Sequence, residues 1–294
     1  MGKINKIMYT VNDYCKQLFG EKAYKISLDA GFTCPNRDGV LDTRGCIFCS
    51  AGGSGDFTPD KTLPIDIQIE EAKQRIRKKY KGSSFIAYFQ AYTNTYAPVE
   101  KLRSLYMPII KRDDISGLSI ATRPDCLSKD TISFLDELNM IKPVWVELGL
   151  QTSKEESIKY IRRGYETKIY DDAVKCLNEK GIHTITHIIL GLPGEDENDM
   201  LGSVRHALEA GTKGLKLQLL HVLKGTDLEN DYKEGKFETL TFEGYLEILK
   251  KCLEIIPDEI VIHRLTGDGP KKLLVSPLWS ADKKRVMNAI RSIT

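Results

Sequence analysis

The chain has 294 residues, 41% of them hydrophobic, enough for one sizeable core or two small domains. Its 43 lysines and arginines nearly balance 41 aspartates and glutamates, so a formal charge of +2 neither demands nor excludes a nucleic-acid partner. No apolar run reaches membrane-spanning length and no secretory leader pattern opens the chain, which argues against a membrane partner and makes a cytoplasmic protein the expectation. Seven cysteines, an odd number, fit a reducing compartment better than a disulfide framework.

In chain order, Thr10 is placed to cap a short helix over 11–19. Residues 24–30 alternate as a first strand, so the run that follows sits at that strand's C-terminal end. This run contains Cys34, then Cys46 and Cys49 as a C-x-x-C pair, with Pro35, Gly39 and Gly45 letting the interval fold back as a loop. Ala51-Gly-Gly-Ser-Gly lacks the following Lys-Ser/Thr of a phosphate-binding loop. Helices are predicted over 66–81, 98–111, 127–138, 154–161, 168–180 and 195–210, the fifth closed by Gly181. Strands alternate with them over 84–90, 115–121, 143–150, 182–190 and 215–220. Apolar, β-branched strands alternating with helices argue for repeated βα units around a parallel sheet, without separating a doubly wound sheet from a barrel. Thr241 then caps a helix to about Ile256 that Pro257 stops, followed by a short strand over 261–265 and a last helix over 280–293.

The three cysteines are the chemical signal. A closed zinc site wants four ligands, and none of the five histidines, at 183, 187, 206, 221 and 263, is near in sequence. A zinc knuckle or redox pair remains a reading of C-x-x-C alone; an iron–sulfur cluster with one iron left open is the sharper one. The pattern resembles the radical S-adenosylmethionine (radical SAM) superfamily, in the long-first-gap variant of the elongator catalytic subunit and its relatives. That resemblance implies that Cys34, Cys46 and Cys49 hold a four-iron four-sulfur (4Fe-4S) cluster whose fourth iron takes the amine and carboxylate of SAM. It also implies that Phe48 packs near the adenine. The implied fold class is α/β, an open (β/α)6 partial TIM barrel over residues 24–225, with an N-terminal extension over 1–23 and a C-terminal extension over 226–294 that closes the barrel.

Later motifs extend the likeness. Phe89-Gln-Ala-Tyr-Thr-Asn-Thr-Tyr-Ala-Pro lies where many relatives approach the SAM amino group, so Gln90 and Ala91 are expected to contact it through backbone. Thr93, Asn94, Thr95 and Tyr96 are either binding groups or a turn rich in capping residues. In Ile120-Ala-Thr-Arg-Pro-Asp, Ala121 replaces the family's glutamate and its ribose hydrogen bond; Arg123 and Asp125 remain either for binding or as an ion pair. By resemblance, Gln151 faces SAM and Arg163 salt-bridges its carboxylate, the fixed charged donor such a group wants. Glu147 is expected to bind SAM or pair internally, and His187 to contact the SAM ribose or be a satisfied core histidine. Gln218, His221, His263 and Arg264 are substrate-side candidates, with Arg264 and Asp268 facing an anion or forming a solvated turn. The basic stretch Lys73, Arg75, Arg77, Lys78, Lys79 and Lys81 reads as a solvated helix face or as phosphate contacts with RNA.

The implied chemistry is enzymatic: reductive SAM cleavage fed by an electron donor such as flavodoxin or ferredoxin. The resemblance suggests tRNA as partner, with a wobble-uridine 5-carboxymethylaminomethyl group processed to 5-aminomethyl and a separate methyltransferase acting next. An arginine near the substrate would bind the lost carboxylate. Alternatives are a radical SAM enzyme acting on a small metabolite or porphyrin-like carboxylate, and a non-enzymatic iron–sulfur or heme-handling protein.

Overall fold

The computed structural model describes residues 8–53, 55, 58–77, 80, 82–267 and 269–294. Lys78, Lys79, Lys81 and Asp268, singled out above, lie outside the described residues. Helix α1 (Val11–Phe19) precedes β1 (Tyr24–Leu28), and strands and helices then alternate as far as a sixth strand. They comprise α2 (Ile65–Ile76), β2 (Phe85–Phe89), α3 (Val99–Ile110), β3 (Ile115–Thr122), α4 (Lys129–Asn139) and β4 (Val144–Gln151). Next come α5 (Glu155–Tyr160), α6 (Thr167–Glu179), β5 (His183–Leu190), α7 (Glu197–Glu209) and β6 (Gly214–Leu219). The chain ends with β7 (Val222–Leu223), α8 (Asp227–Lys233), α9 (Phe242–Ile255), β8 (Val261–Arg264), β9 (Leu274–Ser276) and α10 (Lys283–Ile293).

Strands β1 to β6 and β8 form one parallel sheet in that order. Period-two alternation sorts their side chains. Leu28, Phe89, Ile120, Leu148, Ile188 and Leu217 join the main apolar core with residues of the flanking helices, such as Leu102, Leu135, Val174 and Val204. The other face turns inward and is polar at its middle: Lys25, Tyr88, Ser119, Glu147, His187 and Lys216, from β1 through β6, meet around one carboxylate. Only a curled sheet brings its first and sixth strands to the same group, so the fold is the expected open half barrel. Strand β8, expected beyond a six-stranded core, instead pairs with β6 as a seventh strand.

Helix α1 plugs the N-terminal end of the barrel. Its Thr10–Asp13 capping box fixes the start, and Cys15 packs among Ile86, Trp145 and Ile185. Tyr14 stacks on His183 with ring centroids 4.7 Å apart. Two features had no clear sequence signal: α8, and the antiparallel β7–β9 pair that ties the tail back to the strand-six edge.

Candidate active site

The C-terminal strand ends surround a cavity of about 420 Å³. Cys34, Cys46 and Cys49 form part of its wall, none of them in a disulfide. Their loop is pinned by named bonds rather than by packing alone. Asn36 Nδ2 donates to the Arg162 carbonyl at 2.8 Å and to Cys46 Sγ at 3.4 Å. Arg37 Nη2 donates to the carbonyls of Cys49 and Ser50 at 2.8 and 2.7 Å. Ile47 bonds through its N–H to Ile161 and through its carbonyl to Leu228, tying the loop to α5 and α8. Burial, with the neighbouring Cys49, pushes the Cys46 thiol up to about 12. No group of three or more ligands among the described residues is gathered tightly enough for a single metal ion. A cluster spreads its thiolates over separate irons, and three cysteines outside any disulfide on one cavity wall fit that donor set.

Around the rim, three non-glycine residues adopt left-handed backbone: Tyr92 at φ 58°, Gln151 at 64° and Arg162 at 57°. Each costs on the order of 1 kcal/mol, and such residues gather where the surroundings fix a binding geometry. Gln151 lines the cavity and its buried Oε1 has no partner. Gly149 makes room for it, since a Cβ there would stand 2.5 Å from Gln151 Nε2. Phe48 and Gln90 also line the cavity; Ala91 is fully buried behind it, its carbonyl accepting from Asn94 Nδ2 at 3.0 Å. Asn94 Nδ2 donates to backbone carbonyls at the β2 and β3 ends, and Thr95 bonds to Thr122 and the Cys126 carbonyl, so these two side chains brace the turn, while Thr93 lines the cavity.

Arg163 lines the cavity at 1% exposure, but all five of its N–H donors are committed. Nε and Nη2 donate to the Tyr165 carbonyl, Nη1 to those of Leu150 and Thr152, and Nη2 also to Thr167 Oγ1. A SAM carboxylate would have to displace one of them, so the residue as packed frames the Gln151 turn. Arg123 makes a two-pronged ion pair with Asp125 at 2.9 and 2.8 Å, with its guanidinium over the Tyr165 ring at 4.8 Å.

The cavity floor is the buried ion network. Glu147 accepts from Lys25 at 2.6 Å, Ser119 at 2.6 Å, Tyr88 at 3.0 Å, His187 Nε2 at 2.7 Å and Lys216. Burial alone would raise its carboxyl, but Lys216, Lys25 and His187 more than offset that and hold it well below the usual range. Burial also pushes Lys216 down to about 7, partly countered by Glu147. Carboxylate and ammonium both shift downward, the lysine by burial and the carboxylate by the two lysines and His187 around it. Burial, with Lys216, lowers His187 to about 4, so it is a neutral imidazole donating from Nε2, with Nδ1 facing Gln218 Nε2 at 3.3 Å. Glu147 thus takes its internal-pairing alternative. Lys25 and Lys216 were missed in the sequence; the signal was a lysine on the inward phase of two apolar strands.

Gln218, His221 and Arg264 line the cavity, His221 with Nε2 3.0 Å from Ser280 Oγ. His263 does not. It lies at the barrel base, its ring 3.3 Å from His183 between nitrogens and edge-on to Trp145, because its strand register puts it a layer below Arg264. Tyr96 is also outside the cavity lining and is held by Asp38. In the basic stretch, Lys73 is buried and pairs with Glu70 and Asp114, and exposed Arg75 pairs with Glu71, so both side chains are engaged in ion pairs.

Comparison with known proteins agrees with this geometry. The radical SAM superfamily model matches residues 43–207, more than half of the chain, and the radical SAM C-terminal domain model matches 212–293. The Bacillus subtilis (strain 168) protein YtqA is 45% identical over 285 residues, covering 97% of this chain and 88% of that protein. A tRNA uridine(34) acetyltransferase of Methanocaldococcus jannaschii is 26% identical over 162 residues, 54% of this chain and 29% of the relative. Among solved structures, the archaeal Methanocaldococcus infernus Elp3 superposes with a TM-score of 0.66 at 18% identity, covering 92% of this chain and 64% of that one.

Proposed function

The chain belongs to the radical SAM superfamily, with an Elp3-like relationship inside it, and from that premise we propose that it modifies the wobble uridine of tRNA, converting 5-carboxymethylaminomethyl to 5-aminomethyl. When bound, the reduced 4Fe-4S cluster and SAM together supply a 5'-deoxyadenosyl radical that removes hydrogen from an unactivated carbon.

Cys34, Cys46 and Cys49 hold the cluster, and Phe48 packs against the adenine. Gln90 and the backbone at Ala91 face the methionyl amine. Gln151 presents its unpartnered Oε1 to SAM. Arg163 keeps that turn in place from behind, and neutral His187 offers no charge to the ribose side. Arg123, Gln218, His221 and Arg264 line the substrate side. The apolar plug around Trp145 closes the base against water, which protects a radical from solvent donors. Flavodoxin or ferredoxin serves as electron donor, and a methyltransferase acts on the product. The radical SAM core spans 24–225.

The observation that carries this reading is that three cysteines outside any disulfide and a polar floor line one cavity in a chain related to tRNA uridine(34) enzymes. The test is anaerobic reaction of the reconstituted protein with reductant, SAM and tRNA carrying 5-carboxymethylaminomethyluridine, followed by nucleoside mass spectrometry. Loss of that nucleoside with gain of 5-aminomethyluridine is expected. Unchanged tRNA alongside 5'-deoxyadenosine formation would overturn the substrate and turn the search to small carboxylates.

A further inference from the structure

On the floor one carboxylate, Glu147, serves two lysines, Lys25 and Lys216, and His187 is neutral. Two ammonium groups in a buried network with one carboxylate are costly unless a further anion completes it. Lys216 is 4% exposed, yet it forms part of the cavity wall. An ammonium has three N–H donors; Glu147 takes one and the Tyr88 hydroxyl, 3.0 Å away, a second. Among the described residues, the third has no protein acceptor.

Gln218, two residues on and on the same strand face, repeats the pattern. Its Nε2 reaches His187 Nδ1 with one N–H, leaving the other N–H on the cavity wall. Arg264 lies on the same wall, and its charge lowers both lysines further. A bound anion would relieve this repulsion. Cys34, Cys46 and Cys49 line the same cavity as Lys216 and Gln218, so a group held here shares one chamber with the cofactor end.

We propose that Lys216 and Gln218 form a receptor for one carboxylate of the substrate at the floor of the barrel. This rests on reading the cavity as the radical SAM centre, and it deepens the wobble-uridine proposal by giving the carboxymethylaminomethyl group a lysine partner where an arginine was expected. A carboxylate there would give Lys216 and Gln218 the acceptor that their remaining N–H donors lack.

The probe is N-methylglycine, the terminal fragment of that group, titrated by saturation-transfer NMR into the reconstituted, oxidised holoprotein with SAM. Dimethylamine and dimethyl phosphate are the controls. N-methylglycine binding is expected, with no dimethylamine binding, and Lys216→Gln and Gln218→Leu are each expected to weaken it by about tenfold or more, the size of a charge-assisted hydrogen bond. Gln218→Leu leaves the Lys25–Glu147–Lys216 network intact and keeps the test decisive if Lys216→Gln does not fold. Absent wild-type binding, unchanged binding in folded variants, or a preference for dimethyl phosphate would overturn the receptor. If N-methylglycine binds as expected while tRNA stays unmodified, the receptor stands and the wobble-uridine reading falls.

Discussion

The rim and the floor of the cavity hold their buried charges differently. At the rim, Arg163 is answered by carbonyls and a hydroxyl and Arg37 by the carbonyls of Cys49 and Ser50, while Arg123 and Arg162 each have a single aspartate, Asp125 and Asp227. On the floor, charge answers charge, with Lys25 and Lys216 on Glu147. A frame of backbone acceptors fixes shape while leaving positive charge uncancelled, which suits a wall facing an anionic thiolate-bound cluster. An ion network of two cations and one anion is instead sensitive to what binds it. The rim is therefore the rigid half of the site and the floor the responsive half.

The largest effect that separates them is on chemistry. Cys46→Ala is expected to reduce iron content and 5'-deoxyadenosine formation to background while leaving the melting temperature of the metal-free protein unchanged; retained SAM cleavage would remove the cysteine from the account. On the floor, Glu147→Ala strands Lys25 and Lys216 and is expected to cost about 3–5 kcal/mol in urea unfolding. A loss under about 1 kcal/mol would mean that the lysines are not held as ions. Arg163→Lys replaces five donors with three and leaves buried carbonyls short, an expected cost of about 2–3 kcal/mol with weaker SAM binding. Unchanged stability would show the frame to be dispensable.

Acid sharpens the contrast. Burial lowers His183 to about 3 and His187 to about 4, from the ordinary 6.5. Between those values the unfolded chain binds more protons, so their contribution is full above pH 6.5 and falls as the pH drops toward 4, at up to about 1.4 kcal/mol per pH unit for each histidine. Urea midpoints measured from pH 7 to 5 should decline; a rise would place the histidines as cations. The smallest expected effect is Gln151→Gly, which releases left-handed strain and adds up to about 1 kcal/mol of stability, while SAM affinity drops. Improved affinity would assign the strain no binding role.

Much of this was legible in the sequence. Strand β4 begins and ends within a residue of its expected span because alternating apolar residues and the Gly-Leu-Gln ending mark it, and Thr10 caps α1 as its hydroxyl chemistry dictates. The cysteine spacing carried the family. Side-chain partners were less legible, because they depend on curvature. Nothing local tells Lys25 that Glu147, 122 residues away, will be its counter-ion. His263 and Arg264 are adjacent in sequence, yet strand alternation and a register shift at β6–β8 send one to the base and leave the other on the cavity wall. Arg163 was singled out by the family resemblance, and the carbonyls and hydroxyl that engage its five donors could not be read from the sequence.

The measurement that tests the division most directly is paired quantification of 5'-deoxyadenosine and 5-aminomethyluridine from one anaerobic reaction of wild type, Cys46→Ala and Lys216→Gln with SAM, reductant and modified tRNA. The account predicts that Cys46→Ala makes neither product, whereas folded Lys216→Gln still cleaves SAM but loses the nucleoside conversion. Parallel loss of both products in folded Lys216→Gln, or full conversion by it, would contradict a rim that runs the cofactor and a floor that holds the substrate.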